Sequence, residues 1–252
     1  MARPYIMVAP NGARRGKADH PALPITTDQI VATAAACVAA GADALHLHVR
    51  DNAGQHSLDA GLYNETVKEL RHAIPDLRIQ ITTEAGGVFD VATQLQCLSQ
   101  VQPEWASISI REIARDADLA HKVYGVCAEQ GTTVQHILYD TDDIARLNEW
   151  QGRGIIGAGQ ASVLFVLGRY TTGQTSTPAD LAPFRAAMPK ARDWMVCAFG
   201  PDEHASLLET AKQGGKLRVG FENSLTDHST QPHHDNAASV AALRSLLERH
   251  LS

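Results

Sequence analysis

Two histidines one residue apart, His46 and His48, stand in the run Ala44-Leu45-His46-Leu47-His48-Val49-Arg50-Asp51. In an extended chain successive side chains alternate, so both imidazoles share one face while Leu45, Leu47 and Val49 share the other. A packed face takes Val, Ile or Leu at lower cost than a polar ring that must find partners. The pair therefore points to a divalent metal site, against the alternative of two hydrogen-bonded residues in a barrel wall. Far downstream, Glu222 follows a second alternating run, Leu217-Arg218-Val219-Gly220-Phe221. Two neutral imidazoles and one carboxylate leave coordination positions open, as a catalytic zinc requires and a structural zinc does not.

The elements that must position these groups follow a regular rhythm. Strand-like runs cover 5–9, 44–49, 78–83, 105–110, 133–139, 161–167, 193–198 and 217–221. Helical patterns cover 27–40, 59–73, 90–99, 116–130, a stretch from 141, 178–188, 202–213 and 234–251. Eight strand-helix units in 252 residues predict an α/β fold, a single (β/α)8 TIM barrel domain over 1–252. Parity sharpens this. Arg78, Gln80, Thr82 and Glu84 alternate with Ile79 and Ile81; Ser107, Ser109 and Arg111 with Ala106, Ile108 and Ile110; Arg218, Gly220 and Glu222 with Leu217, Val219 and Phe221. The apolar parity must face the helices, so the polar parity points into the barrel. The eighth strand of a closed barrel neighbours the first and the first neighbours the second, so His46, His48 and Glu222 can converge at the C-terminal mouth, where barrel active sites lie.

Composition limits the partners. A net charge of -6 argues against nucleic acid and anionic membrane surfaces, and no apolar run reaches the ~20 residues of a bilayer span. The N-terminus leads straight into an apolar strand without a signal-peptide pattern, which makes the cytoplasm the expected compartment. Cys37, Cys97, Cys127 and Cys197 form no Cys-x-x-Cys pair and read as reduced, buried structural thiols.

Four segments in order, Val8-Ala9-Pro10-Asn11-Gly12-Ala13, His20-Pro21-Ala22-Leu23-Pro24-Ile25-Thr26, Gly41 to Asp51, and Leu217 to Asn223, resemble the β-keto acid cleavage enzymes over essentially the whole chain. The resemblance implies a zinc-dependent acyl transfer on a (β/α)8 barrel, in which a β-keto acid and acetyl-CoA give acetoacetate and a new acyl-CoA. It implies His46, His48 and Glu222 as metal ligands, Arg218 and Thr82 as catalytic residues, zinc holding the keto and carboxylate oxygens, and a homo-oligomer, dimer or tetramer. The pattern departs from the family in three places. Asn223 stands where the family has an aspartate acting as general base, and an amide accepts no proton at neutral pH. Gln135 stands where the family has a glutamate, and the turn after the third strand reads Thr83-Glu84-Ala85-Gly86-Gly87, which brings a carboxylate to the rim. Glu84 is therefore the expected substitute base, with Glu112 second, and a plain substrate-binding carboxylate is the alternative for Glu84.

Asn11, Ser109, Arg111 and Gln135 are the expected substrate-binding residues, with a turn asparagine the alternative for Asn11 and a surface ion pair for Arg111. His136, of opposite parity to Gln135, is expected to pack outward, His233-His234 to form a solvated helix start, and Arg14, Arg15 and Lys17 either to meet CoA phosphates or to form a wet loop. An amidohydrolase-like metal hydrolase is one rival. It would place the histidine pair on the first strand, with further histidines on the fifth and sixth and an aspartate on the eighth. The other is a metal-binding relative that has lost the base.

Overall fold

The computed structural model describes residues 3–251; Met1, Ala2 and Ser252, which the predicted domain span includes, lie outside the described residues. The alternating runs form eight parallel strands: β1 (Ile6–Val8), β2 (Ala44–Leu47), β3 (Arg78–Thr82), β4 (Trp105–Ser109), β5 (Thr133–Leu138), β6 (Ser162–Leu167), β7 (Trp194–Ala198) and β8 (Lys216–Val219). They close into a barrel in which β8 pairs with β1 and β1 with β2. The helices α1 (Thr27–Ala39), α2 (Ala60–Ala73), α3 (Val91–Val101), α4 (Ala117–Glu129), α5 (Thr141–Gly152), α6 (Ala182–Ala187), α7 (Glu203–Lys212) and α8 (Asn236–Leu251) surround it.

Local chemistry sets the boundaries. Thr26 and Gln29 form a reciprocal capping box that starts α1, and the Asp59, Asp90 and Asp140 carboxylates accept backbone N–H bonds at the starts of α2, α3 and α5. The helix predicted over 178–188 divides into a 3-10 turn, Pro178–Leu181, and α6, because Pro183 in its middle has no N–H to continue the ladder. The strand predicted over 105–110 stops at Ser109, and Ile110–Ile113 is already helical. The second strand likewise breaks after Leu47, and Val49–Arg50 pairs instead with His56–Ser57 in a small antiparallel ribbon above the barrel.

Two apolar clusters confirm the parity only in part. One fills the layer between barrel and helices, with Ile6, Val8, Leu45, Leu47, Ile79 and Ile81 among its members. The other lies inside the barrel and contains Met7, Leu164, Val166, Met195, Cys197 and Phe199. The interior is thus apolar on the β6–β7 side and polar on the β2–β5 side, where His46, Gln80, Thr82, Ser107, Ser109 and Gln135 are all buried. All four cysteines are free and buried, and burial pushes their thiols up to about 12, as unreactive packing residues. No helix among the described residues is long and apolar enough to cross a membrane.

The end of β8 is the tightest crossing. Gly220 has φ +136, and a Cβ there would stand 2.5 Å from the Ala9 carbonyl oxygen. Asn236, buried at the start of α8, accepts from Phe221 N at 2.9 Å and donates to Pro10 O at 3.0 Å, pinning the β8 turn to the β1 turn. Replacing Gly220 with alanine is expected to cost on the order of 1–3 kcal/mol, read as a lower urea midpoint; an unchanged midpoint would show that the crossing has slack.

Candidate metal centre and active site

The mouth brings together the three groups that the sequence separates. β2 carries His46 inward in register with Gln80 of β3, His48 follows the end of β2, and the pinned turn after β8 carries Glu222. Glu222 is therefore a turn residue rather than the next inward residue of a strand, and Glu222 N donates to Ala9 O at 3.1 Å to hold the turn. Its Oε2 lies 3.7 Å from His46 Nε2 and 3.6 Å from His48 Nε2, and the two ring nitrogens are 3.1 Å apart.

The donor set fits a divalent metal ion. One ligand atom from each residue falls within 4.8 Å of the others, and Glu222 Oε2 is buried without a hydrogen-bond partner. Gln80 Oε1 accepts from His46 Nδ1 at 2.7 Å, which fixes the tautomer that leaves Nε2 its lone pair. Burial, then the Arg218 charge, holds His46 well below its ordinary value, so the ring is neutral as a ligand must be. Burial alone would raise Glu222; Arg218, His48 and His46 outweigh it and hold the carboxyl well below the usual range. Arg218 Nη2 donates to Glu222 Oε1 at 2.7 Å, leaving Oε2 turned toward the imidazoles.

Two adjoining hollows open beside these ligands. The inner one is lined by His46, Thr82, Ser109, Ile137, Tyr139 and Val166, with about 350 Å3 of space not filled by atoms, part of it open to solvent. The outer one is lined by Asn11, Gly12, Ala13, Arg14, Arg15 and Gln174. Glu84, Arg169, Phe199 and Glu222 line both. Glu84 Oε2 is 4.0 Å from His48 Nε2, and its carboxylate makes no hydrogen bond among the described residues. Asn11 spends its amide on Pro24 O and His48 O, and Arg15 Nη1 donates to Phe221 O.

Five expected site residues, His48, Arg218, Arg111, Gln135 and Asn223, line neither hollow; the first two contact Glu222 instead. Parity puts Arg111 inside the barrel, but the early end of β4 turns it outward, where it pairs with Asp140 and Asp143 and lies between the Tyr139 and Tyr170 rings. Gln135 accepts from Gln80 at 3.1 Å and so acts on His46 through Gln80. Asn223 is fully buried, donating to Arg218 O and to Glu203 Oε1. Glu112 is also spent, accepting from Ala85 N and Gln94 Nε2, with burial raising it to about 7. His136 packs outward against Tyr124 and bonds Gln160 O. The histidine pair before α8 divides: His234 is solvated, while His233 stacks on His204 and its carbonyl faces His20 Nε2.

Sequence reasoning missed the roles of Gln80, Arg169 and Glu203. Inward parity flagged Gln80, and a cation directly after the sixth strand could have flagged Arg169. Nothing marks Glu203, which reads as an ordinary first-turn acid of a helix. It is fully buried, accepts from Asn223 Nδ2 and Gly220 N, and burial raises it to about 8.

The fold and the site define a (β/α)8 barrel with a His-His-Glu group at its C-terminal mouth that could hold a metal ion. Residues 4–250 match the family described as beta-keto acid cleavage enzyme, and the chain belongs to that family. Among similar proteins are a 3-keto-5-aminohexanoate cleavage enzyme of Fusobacterium nucleatum, 27% identical over 89% of this chain and 84% of the relative, and a 3,5-dioxohexanoate:acetyl-CoA acetone transferase of Paraburkholderia graminis, 26% identical over 96% and 89%. A 3-oxoadipate:acetyl-CoA acetyltransferase of Cupriavidus necator is 24% identical over 99% of this chain and 90% of its own. Among solved structures, ObcA with oxaloacetate has a TM-score of 0.67 at 15% identity, over 92% of this chain and 65% of that one. A type I 3-dehydroquinate dehydratase from Clostridium difficile has a TM-score of 0.66 at 13% identity, over 99% and 94%. At these identities the two structures speak for the fold.

Two measurements test the site. Gln80→Leu removes the acceptor that orients His46 and is expected to weaken metal binding about 10–100-fold in chelator competition; unchanged affinity would show that the bond is idle. Glu203, raised from an ordinary carboxyl value to about 8, favours the folded state fully at low pH and loses that contribution as pH rises through about 8. Urea midpoints at about pH 5 and about pH 8.5 should therefore fall less in Glu203→Gln than in the wild type, and equal falls would place the titration elsewhere.

Proposed function

We propose that this protein is a zinc-dependent β-keto acid cleavage enzyme that exchanges the acyl group of a β-keto acid onto the CoA of acetyl-CoA, giving acetoacetate and a new acyl-CoA, with Glu84 as general base. The observation that carries this reading is the convergence of His46, His48 and Glu222 beside a hollow that also holds an unspent carboxylate, in a chain of this family. A divalent ion on these ligands polarises a bound carbonyl and lowers the cost of enolate charge. The protein's own part is to keep the His46 ring neutral, to fix it through Gln80, and to hold Glu222 ionised against Arg218. The acidic proton of a β-keto acid sits on the carbon between its two carbonyl groups. Glu84 Oε2 faces the hollow next to the candidate ligands and accepts no hydrogen bond, Arg169 lying 3.7 Å from its other oxygen, so it suits removal of that proton. Glu112 does not, because it lines neither hollow and its Oε2 is held by Ala85 N and Gln94 Nε2. Thr82 and Ser109 offer hydroxyls to substrate oxygens, and Asn11 stands at the outer hollow.

One observation favours a second reading, a metal-binding relative without the transferase activity: Asn223 is locked onto Glu203 and offers no base. Incubation of the zinc-loaded protein with acetyl-CoA and a panel of β-keto acids separates the possibilities. Acetoacetate formed only when acetyl-CoA is present is the expected result; product without it indicates a hydrolase, and no product with any acid indicates the binding relative. Chelation should abolish turnover and zinc restore it. Glu84→Gln should lower kcat about 10²–10⁴-fold with metal still bound, and undiminished turnover would remove Glu84 from the base position.

A further inference from the structure

Resting on that reading of the site, we infer that the substrate carries a second, distal carboxylate and that Arg169 binds it. Arg169 follows Gly168, whose φ of +79 turns the chain immediately after β6, and a Cβ at Gly168 would meet Thr175 O at 2.6 Å. This close turn sends the arginine back over the mouth, into the wall shared by both hollows.

Its side chain is only 11% exposed, yet its guanidinium makes no hydrogen bond among the described residues. It is held by the faces of Phe199, 5.1 Å away, and Tyr170, 6.0 Å away, and by a long ion pair of 3.7 Å to Glu84. Its donors are unbonded and remain accessible from the hollows, so an anion entering there meets an open fork. Of the other arginines at the mouth, Arg218 bonds Glu222 through Nη2 while its Nε and Nη1 are buried without a partner, but it lines neither hollow, and Arg50 bonds the carbonyls of Gly12 and Arg15.

Glu84 is a poor permanent partner. Its other oxygen stands 4.0 Å from His48 Nε2, so a dication on the ligands draws it away from Arg169. Ile137, Val166 and Phe199 give the inner hollow an apolar side, facing Thr82, Ser109 and Tyr139. A substrate with its β-keto acid end at the candidate metal ligands and a carboxylate on the arginine fork would lay its carbon chain along that side. An ammonium group in the same place would meet the Arg169 charge. The class is therefore a 3-oxo dicarboxylic acid, and neutral and amino-bearing β-keto acids are disfavoured.

Three six-carbon β-keto acids with anionic, neutral and cationic distal ends test this: 3-oxohexanedioate, 3-oxohexanoate and 5-amino-3-oxohexanoate. The wild type is expected to favour the dicarboxylate over the neutral acid at least about tenfold in kcat/KM, with the amino acid poorest. Arg169→Gln should reduce that preference about 10–100-fold, the range of a charge-assisted bidentate contact, and Arg169→Lys should reduce it less because it keeps the charge but loses the fork. Calorimetric titration of the unreactive pair adipate and hexanoate into the zinc-loaded protein reads the same site without turnover; adipate should bind more tightly, and Arg169→Gln should erase the difference. Equal binding of the two, or a wild-type preference for the neutral or amino acid, overturns the assignment. So does an Arg169→Gln variant in which only the KM for acetyl-CoA rises, which would place a CoA phosphate on the arginine. Absence of turnover with all three acids would sink the proposed function, while the adipate titration still decides the anion site.

Discussion

The arrangement depends on keeping one buried carboxylate ionised. Glu222 lies deep at the mouth of the barrel, where removing an ion from water costs several kcal/mol even after the surroundings relax. Arg218 supplies the compensating charge through Oε1, and the imidazoles of His46 and His48 take the other side. Because the arginine occupies one oxygen only, the second is left facing the two imidazoles, the other candidate metal ligands. The same ion pair helps to keep His46 uncharged, since the Arg218 cation adds to burial in opposing a proton there. One interaction thus sets the charge state of two of the three ligands.

Holding a carboxylate in that position places demands on the backbone. The turn after β8 must cross the end of β1 closely enough for Glu222 N to reach Ala9 O, and the glycine at 220 makes the approach possible. Asn236 then ties the two turns together from the far end of the chain, and His20 stacks on Phe221 at 4.5 Å to cover the crossing. On the opposite wall the links His46–Gln80 and Gln80–Gln135 run through the barrel interior as neutral hydrogen bonds. Neutral groups suit that wall because a further buried charge there would need its own partner.

The amide at 223 is accommodated in the same economy of charge. Its Nδ2 meets Glu203, a carboxyl that burial raises to about 8, so the pair is neutral near physiological pH and leaves the Arg218–Glu222 balance undisturbed. This acid stands on the first turn of α7 and lines neither hollow. The carboxylate that faces the hollow is instead Glu84, held there by backbone contacts: Glu84 N donates to Thr82 Oγ1, and its carbonyl meets His56 Nε2. That imidazole is neutral, pushed down to about 3 by burial and by His48.

The barrel and the convergence of His46, His48 and Glu222 were legible in the chain because period-two alternation and the order of strand-helix units are local properties, and closure of the barrel then forces the ends of β2 and β8 together. The His-x-His spacing and the late glutamate could be read by residue type alone. The tertiary structure decided what parity cannot reach once a strand ends: Arg111 turns away because β4 stops at Ser109, and Glu222 points inward through a turn. It also decided which neighbours share the interior. The apolar β6–β7 side, the Gln80 bond that orients His46, the Glu203 acid behind Asn223 and the free guanidinium of Arg169 all arise from contacts between segments far apart in sequence. Their side chains are ordinary in type, and only burial gives them unusual chemistry.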